Sequence, residues 1–165
     1  MPILDERSLE FLSHSPEQTQ RIGVRLGEML PRRAIILLAG DLGAGKTTLA
    51  QGIARGWGSL DLVTSPTFVL INEYRRADGE TLYHVDAFRL SGSREAEALG
   101  LEELFDQSGP VMIEWPERIA DILPEEHLKV SMQWAEESRR NLHFSASGLA
   151  YENLLRDFRK AAFGG

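Results

Sequence analysis

Ala34-Ile35-Ile36-Leu37-Leu38-Ala39-Gly40-Asp41-Leu42-Gly43-Ala44-Gly45-Lys46-Thr47-Thr48 is the stretch on which the fold turns. Its first six residues are wholly apolar, too short for most helices and rich enough in Ile and Leu for a strand covered on both faces. Gly40 to Thr47 then matches G-x-x-x-x-G-K-[ST] in full. Beyond it Leu49, Ile53 and Trp57 recur every four residues, which predicts a helix from near Lys46 to Gly56 or Gly58. Strand, glycine loop and helix in direct succession are the setting a phosphate-binding loop requires, and the motif alone does not guarantee it.

The residue types suit that chemistry. Gly40, Gly43 and Gly45 permit turns closed to residues with a Cβ, so that successive N–H groups converge on phosphate oxygens. The N-terminus of the following helix adds its dipole. Gly40, Asp41, Leu42, Gly43, Ala44, Gly45 and Lys46 are therefore the candidate cradle. Lys46 would reach the β- and γ-phosphates as a point charge, the Thr47 hydroxyl would ligate Mg²⁺, and Thr48 is a candidate donor to the α-phosphate.

Such a loop also calls for an acidic residue at the end of another strand, and two are available. Glu114 follows the wholly apolar Val111-Met112-Ile113, as expected of a central strand, while Asp86 follows Leu82-Tyr83-His84-Val85, which His84 marks as partly exposed. Glu114 is the metal-side candidate and Asp86 the candidate for organising Mg²⁺ or the attacking water; two solvated strand-end carboxylates are the plain alternative. His84 shares a strand face with Asp86 and could pair with it, although a strand histidine is more often structural. Trp115 either stacks near a nucleotide or caps the core. Arg139 and Arg140 sit in a hairpin loop that could approach phosphate or RNA, with a solvated loop as the default. Asp106-Gln107-Ser108-Gly109 imitates a GTPase D-x-x-G but follows a helix, and no N-K-x-D is present to choose guanine.

Working outward, Ser15-Pro16-Glu17-Gln18 is a capping box with Pro at the first helical position, leading into Ile22, Leu26, Met29 and Leu30 at helical spacing, with Pro31 as the stop. Two extended runs, 68–76 and 80–88, flank Ala77-Asp78-Gly79 and predict an antiparallel hairpin. An acidic helix is expected over 91–105, with Leu101, Leu104 and Phe105 inward. Leu128, Val130, Met132 and Trp134, then Leu142 and Phe144, alternate with polar residues as in a half-exposed second hairpin. A last amphipathic helix carries Tyr151, Leu155, Phe158 and Ala162.

The 165 residues include no Cys, and 18 basic against 25 acidic side chains leave a net charge of −7. One soluble domain is expected, since domains commonly run about 100 to 200 residues. Without cysteine there is no thiol catalysis, Cys-based zinc site or disulfide framework, which suits a reducing, cytoplasmic compartment. The longest unbroken apolar run, Ala34 to Ala39, is far below the roughly 18 residues of a membrane span. Asp5 and Glu6 precede Arg7 where a secretory signal would be basic, so mature protein is expected from Met1. The acidic balance argues against a freestanding nucleic-acid binder and for a protein partner.

Four motifs stand in order: Gly40 to Thr48, Ser65-Pro66-Thr67-Phe68, His84-Val85-Asp86-Ala87-Phe88-Arg89-Leu90, and Glu114-Trp115-Pro116-Glu117. Together they resemble the bacterial TsaE family, small P-loop ATPases of tRNA threonylcarbamoyladenosine (t6A37) biosynthesis, over about Ser15 to Asn141. The resemblance implies an α/β fold, a single P-loop ATPase domain over 1–165 with a mixed sheet, antiparallel hairpins and flanking helices. It also implies Mg-ATP as the bound species, TsaD and TsaB as partners, and tRNA met only through them. By match of motif, Thr47 and Glu114 would bind Mg²⁺, Lys46 and its neighbours the phosphates, and Asp86 would serve hydrolysis. Thr67 would sense the γ-phosphate, Trp115 would lie by the nucleotide, and Thr19 by adenine. The family's third motif usually carries Tyr where Phe88 stands, and the helix from Leu149 onward aligns with nothing in it. Two other readings stay open: a small-molecule or nucleotide kinase using the same loop, which would want an acceptor pocket and an Arg-rich lid, and a nucleotide-dependent binding module with negligible turnover.

Overall fold

In a computed structural model, which describes residues 6–41, 43–61, 71–106, 109–136 and 139–163, seven strands form one sheet in the order β1-β7-β6-β2-β5-β4-β3. The glycine-loop strand β2 (Ile35–Gly40) lies at its centre, parallel to β5 (Val111–Glu114) on one side and β6 (His127–Glu136) on the other. β4 (Thr81–Asp86) extends the parallel set beyond β5. The remaining partners are antiparallel: β3 (Ile71–Arg75) on β4, β7 (Arg139–Ser147) on β6, and β1 (Ser8–Ser13) on β7. The mixed α/β class with two hairpins is thus the one the sequence implies.

Side chains of β2 divide strictly by alternation, as a strand buried on both faces must. Ile36 and Leu38 join a core with α1 (Pro16–Glu28), α2 (Lys46–Trp57) and α5 (Leu149–Phe163), through Leu26, Leu49, Ile53, Leu155 and Phe158. Ile35 and Leu37 join a second core with α3 (Ser93–Ala98), α4 (Leu101–Leu104) and a 3₁₀ segment, Pro116–Ile122. The cap of α1 uses the residues its sequence suggests, but the Gln18 side chain reaches one residue beyond the N-cap. The Ser15 hydroxyl accepts from the Gln18 N–H at 3.1 Å, and the Gln18 side chain accepts from the His14 N–H at 2.8 Å.

α1 and α2 approach backbone to backbone. A Cβ on Gly27 would lie 2.0 Å from the Ile53 carbonyl oxygen, and one on Gly52 would lie 2.2 Å from that of Gln20. Only glycine fits either position.

Several expectations need correction. The acidic helix of 91–105 is two short helices broken at Gly100, whose φ of +77° turns the chain where a continuous helix would run on. β4 is partly exposed at Thr81, Tyr83 and Asp86, but His84, taken as the mark of that exposure, is fully buried. The edge strand β1 and the 3₁₀ segment carry no apolar periodicity strong enough to announce them. Ser65-Pro66-Thr67-Phe68 lies outside the described residues, as does the start of the 68–76 run.

Candidate functional site

Parallel pairing brings the carboxyl ends of β2, β4 and β5 to one edge of the sheet, and the candidate site forms there. β2 ends at Gly40, where a Cβ would meet the Met132 carbonyl oxygen at 2.5 Å. The loop then turns through Gly43 and Gly45, at φ of +80° and +104°, into the first turn of α2. No side chain caps that helix. Its leading N–H groups are left to an external acceptor, the condition under which a helix N-terminus takes an anion.

Lys46 is buried at 5% exposure. Its ammonium donates to the carbonyl oxygens of Gly40 and of Asp41, the latter at 3.1 Å, and stands 3.9 Å from the centroid of the Trp115 ring. Burial pulls its pKa below the ordinary lysine value, while Glu114, Glu117, Asp86 and Asp41 act in the opposite direction. The amine is thus held over the loop by weak acceptors that a phosphate would outcompete.

Asp86 and Glu114 are register partners at the ends of neighbouring strands. Burial raises the Asp86 pKa, with the Glu114 charge adding to the effect and the Phe88 N–H bond at 3.0 Å opposing it. Glu114 is 3% exposed, and its Oε2 lies 2.6 Å from His84 Nε2. As the carboxylate accepts, Nε2 carries the proton. In the neutral imidazole Nδ1 then accepts from the Tyr74 hydroxyl at 2.9 Å. The expected His84–Asp86 pair does not form, because the strand register aims the imidazole diagonally at β5.

Trp115 is the one non-glycine residue with positive φ among those described, at +59°. That strained turn directs the indole against Lys46 and Phe88, the latter at 4.8 Å between ring centroids. A cavity of about 340 Å³ opens between loop and strand ends, lined by Lys46, Thr47 and Thr48 on one side and Asp86, Glu114 and Trp115 on the other. A slightly larger cleft between β1, α1 and the end of α5, about 390 Å³, is lined by residues between Glu10 and Arg25 and by Ala162, without the loop or either carboxylate of the pair. Trp115 thus faces the cavity and does not merely cap the core.

Thr19, Arg139 and Arg140 do not line that cavity. Thr19 is buried with its hydroxyl 2.6 Å from that of Ser13. Arg139 faces Glu136 at 3.5 Å, and Arg140 covers the Trp134 ring. Leu42 and Thr67 lie outside the described residues. Tyr74 escaped the sequence reading; alternation along 71–75 marks it as inward but cannot name its partner.

A family model described as threonylcarbamoyl adenosine biosynthesis protein TsaE matches residues 13–142. The chain belongs to the TsaE family. The tRNA threonylcarbamoyladenosine biosynthesis protein TsaE of Bacillus subtilis is 37% identical over 155 residues, 93% of this chain and 96% of that protein. The TsaE protein of Synechocystis is 42% identical over 123 residues, 72% of this chain and 77% of its own length. The crystal structure of Bacillus subtilis YdiB superposes with a TM-score of 0.80 at 33% identity, covering 94% of this chain and 97% of that one. The TsaE match contains the loop, both strand-end carboxylates and Trp115, and it stops before α5.

Proposed function

We propose that this chain binds Mg-ATP and hydrolyses it as the ATPase component of tRNA t6A37 biosynthesis, in a cytoplasmic complex with TsaD and TsaB homologues that carries the tRNA. The observation behind this reading is the meeting of the uncapped α2 N-terminus and Lys46 with the Asp86–Glu114 register pair across one cavity. Glycine-turned amides and an ammonium suit a triphosphate, and a hydroxyl with carboxylate oxygens is the hard donor set that suits Mg²⁺.

In this proposal the loop residues Gly40, Asp41, Leu42, Gly43, Ala44 and Gly45 cradle the phosphates through their backbone, and Lys46 exchanges its two carbonyl acceptors for β- and γ-oxygens. Thr48 donates to the α-phosphate. Thr47 and Glu114 hold the metal, which when bound neutralises charge on the β- and γ-oxygens. Asp86, whose burial strengthens its hold on a proton, orients a water toward the γ-phosphorus and accepts its proton as the bond to the β-phosphate oxygen breaks. Thr67 meets the γ-phosphate, and Trp115 closes the site over Lys46.

ATP turnover, measured alone and with purified TsaD and TsaB homologues, tests this. Wild-type turnover is expected to be weak alone, to rise with the partners, and to fall by at least about 100-fold in Lys46→Ala, Asp86→Ala and Glu114→Ala. Turnover that ignores the partners, or that survives loss of Lys46, would defeat the assignment.

A further inference from the structure

The two margins of the sheet are finished differently. At the β3 margin both backbone groups of Arg75 are occupied: its N–H donates to the Asp61 carboxylate at 2.7 Å, and its carbonyl accepts from the Leu60 N–H at 2.8 Å. At the β1 margin the ladder is left open. The Arg7 carbonyl accepts from the Ala146 N–H beside β7. By alternation Leu9, Phe11 and Ser13 also turn their backbone groups to β7, while Ser8, Glu10 and Leu12 turn theirs outward. The Ser8 carbonyl shows that direction, since it accepts from the Arg159 guanidinium at 2.7 Å. Among the described residues nothing bonds the outward groups of Glu10 and Leu12. An edge defended against pairing carries Lys, Pro or a bulge at such positions. β1 instead carries Leu12, 44% exposed, and pairs with β7 without a shift of register.

The cleft of about 390 Å³ runs along this open window, with Glu10, Phe11 and Leu12 on one wall and Arg21, Ile22 and Arg25 of α1 on the other. Arg21 and Arg25 are both exposed, and among the described residues neither forms an ion pair. Arg25 donates to the Ala161 carbonyl at 2.7 Å, a partner that leaves its charge in place. The Glu10 carboxylate is engaged across the sheet, 3.1 Å from His143 Nδ1. Two cations without a counter-charge thus border an unpaired strand edge in a chain whose net charge is −7. We propose that the β1 margin docks an extended segment of a partner protein as an added strand, with acidic side chains facing Arg21 and Arg25. Main-chain bonds to Glu10 and Leu12 hold the segment, and its alternating side chains are read separately on the two faces. Leu9 and Phe11 point into the core with α1, so side chains on that face of the added strand meet the two arginines. Those on the opposite face lie beside Leu12, where an apolar group suits.

Fluorescence anisotropy of a short, capped, labelled peptide alternating Glu and Val, titrated with the full chain, tests the margin, with an alternating Lys and Val peptide as comparison. The Glu–Val peptide is expected to bind at least about 10-fold more tightly than the Lys–Val peptide, and Arg21→Glu to abolish that preference. Leu12→Pro removes an outward N–H while leaving the β1–β7 ladder whole, and should weaken the Glu–Val peptide by at least about 10-fold. Hydrogen exchange at the Glu10 and Leu12 amides should slow when the peptide is added. No binding by the wild-type chain, equal binding of the two peptides, or binding that leaves those two amides unprotected would each overturn the proposal. A wild-type chain that self-associates, and becomes monomeric in Leu12→Pro, would assign the margin to a second copy and overturn the acidic partner.

Discussion

Glu114 has surrendered nearly all its water, and a polar group so buried needs a hydrogen-bond partner. His84 donates, and Tyr74 fixes which nitrogen does so. Tyr74→Phe is therefore expected to lower stability by about 1–3 kcal/mol in urea denaturation, because His84 Nδ1 is left without a donor. His84→Gln should raise the Mg²⁺ concentration needed for half-maximal ATP turnover by about 10- to 100-fold, as loss of an outer partner does at metal sites. Asp86 and Lys46 oppose folding in a way that pH exposes. Burial raises the Asp86 pKa in the fold. The folded chain thus binds more protons than the unfolded one between the ordinary carboxylate value and the raised one, and stability falls as pH rises through that window. Lys46, with its pKa lowered, gives the reverse slope at alkaline pH, and both penalties are present at neutrality. Asp86→Asn should therefore be more stable than wild type in urea at pH 7 while inactive as an ATPase. Its advantage should vanish below the ordinary carboxylate range. The loop motif named Lys46 and Thr47 from sequence, and position after an extended run named Asp86 and Glu114. The Tyr74–His84–Glu114 chain was illegible, because alternation gives the face of a strand but not the strand that will lie beside it.

At the scale of elements, β2, the α2 repeat and the cap of α1 were readable because each signal lies within a few consecutive residues. The break at Gly100 was not, since a lone glycine in an acidic amphipathic run is compatible with either a kink or a straight helix. Nor was the α1–α2 contact. Gly27 and Gly52 are ordinary helix-interior glycines in the sequence, and only the packed pair shows that each stands against the other helix's backbone. A methyl there cannot be absorbed by a flexible side chain. Gly27→Ala and Gly52→Ala should each destabilise by at least about 1–3 kcal/mol despite the better helix propensity of alanine. Gly92→Ala, at the N-cap of α3, is the control for added bulk, because a Cβ there meets nothing within 4 Å. Equal urea midpoints for all three variants would contradict the tight seam.

Across the whole molecule, the site exists because parallel pairing carries Gly40, Asp86 and Glu114 to one edge from distant parts of the chain. The mixed sheet and its two hairpins could be foreseen from the alternation of runs, yet strand order could not. β1 closes the sheet at the far side of β7 with little of its own pattern, and its place follows from tertiary pairing alone. The glycine seam has a mechanical consequence at this scale. α2 supplies the amides that would grip the phosphates, and α1 meets it backbone to backbone at Gly27 and Gly52. The two helices must therefore shift as one lever, with β1 attached at the α1 end through the Ser13–Thr19 hydroxyl contact. Hydrogen exchange should report this: Mg-ADP is expected to slow the amides of α1 and α2 in parallel, and protection confined to α2 would show that the helices slip. A ligand at the loop would then be felt at β1, the edge strand three places from β2, where a partner would sense the filled site without touching it.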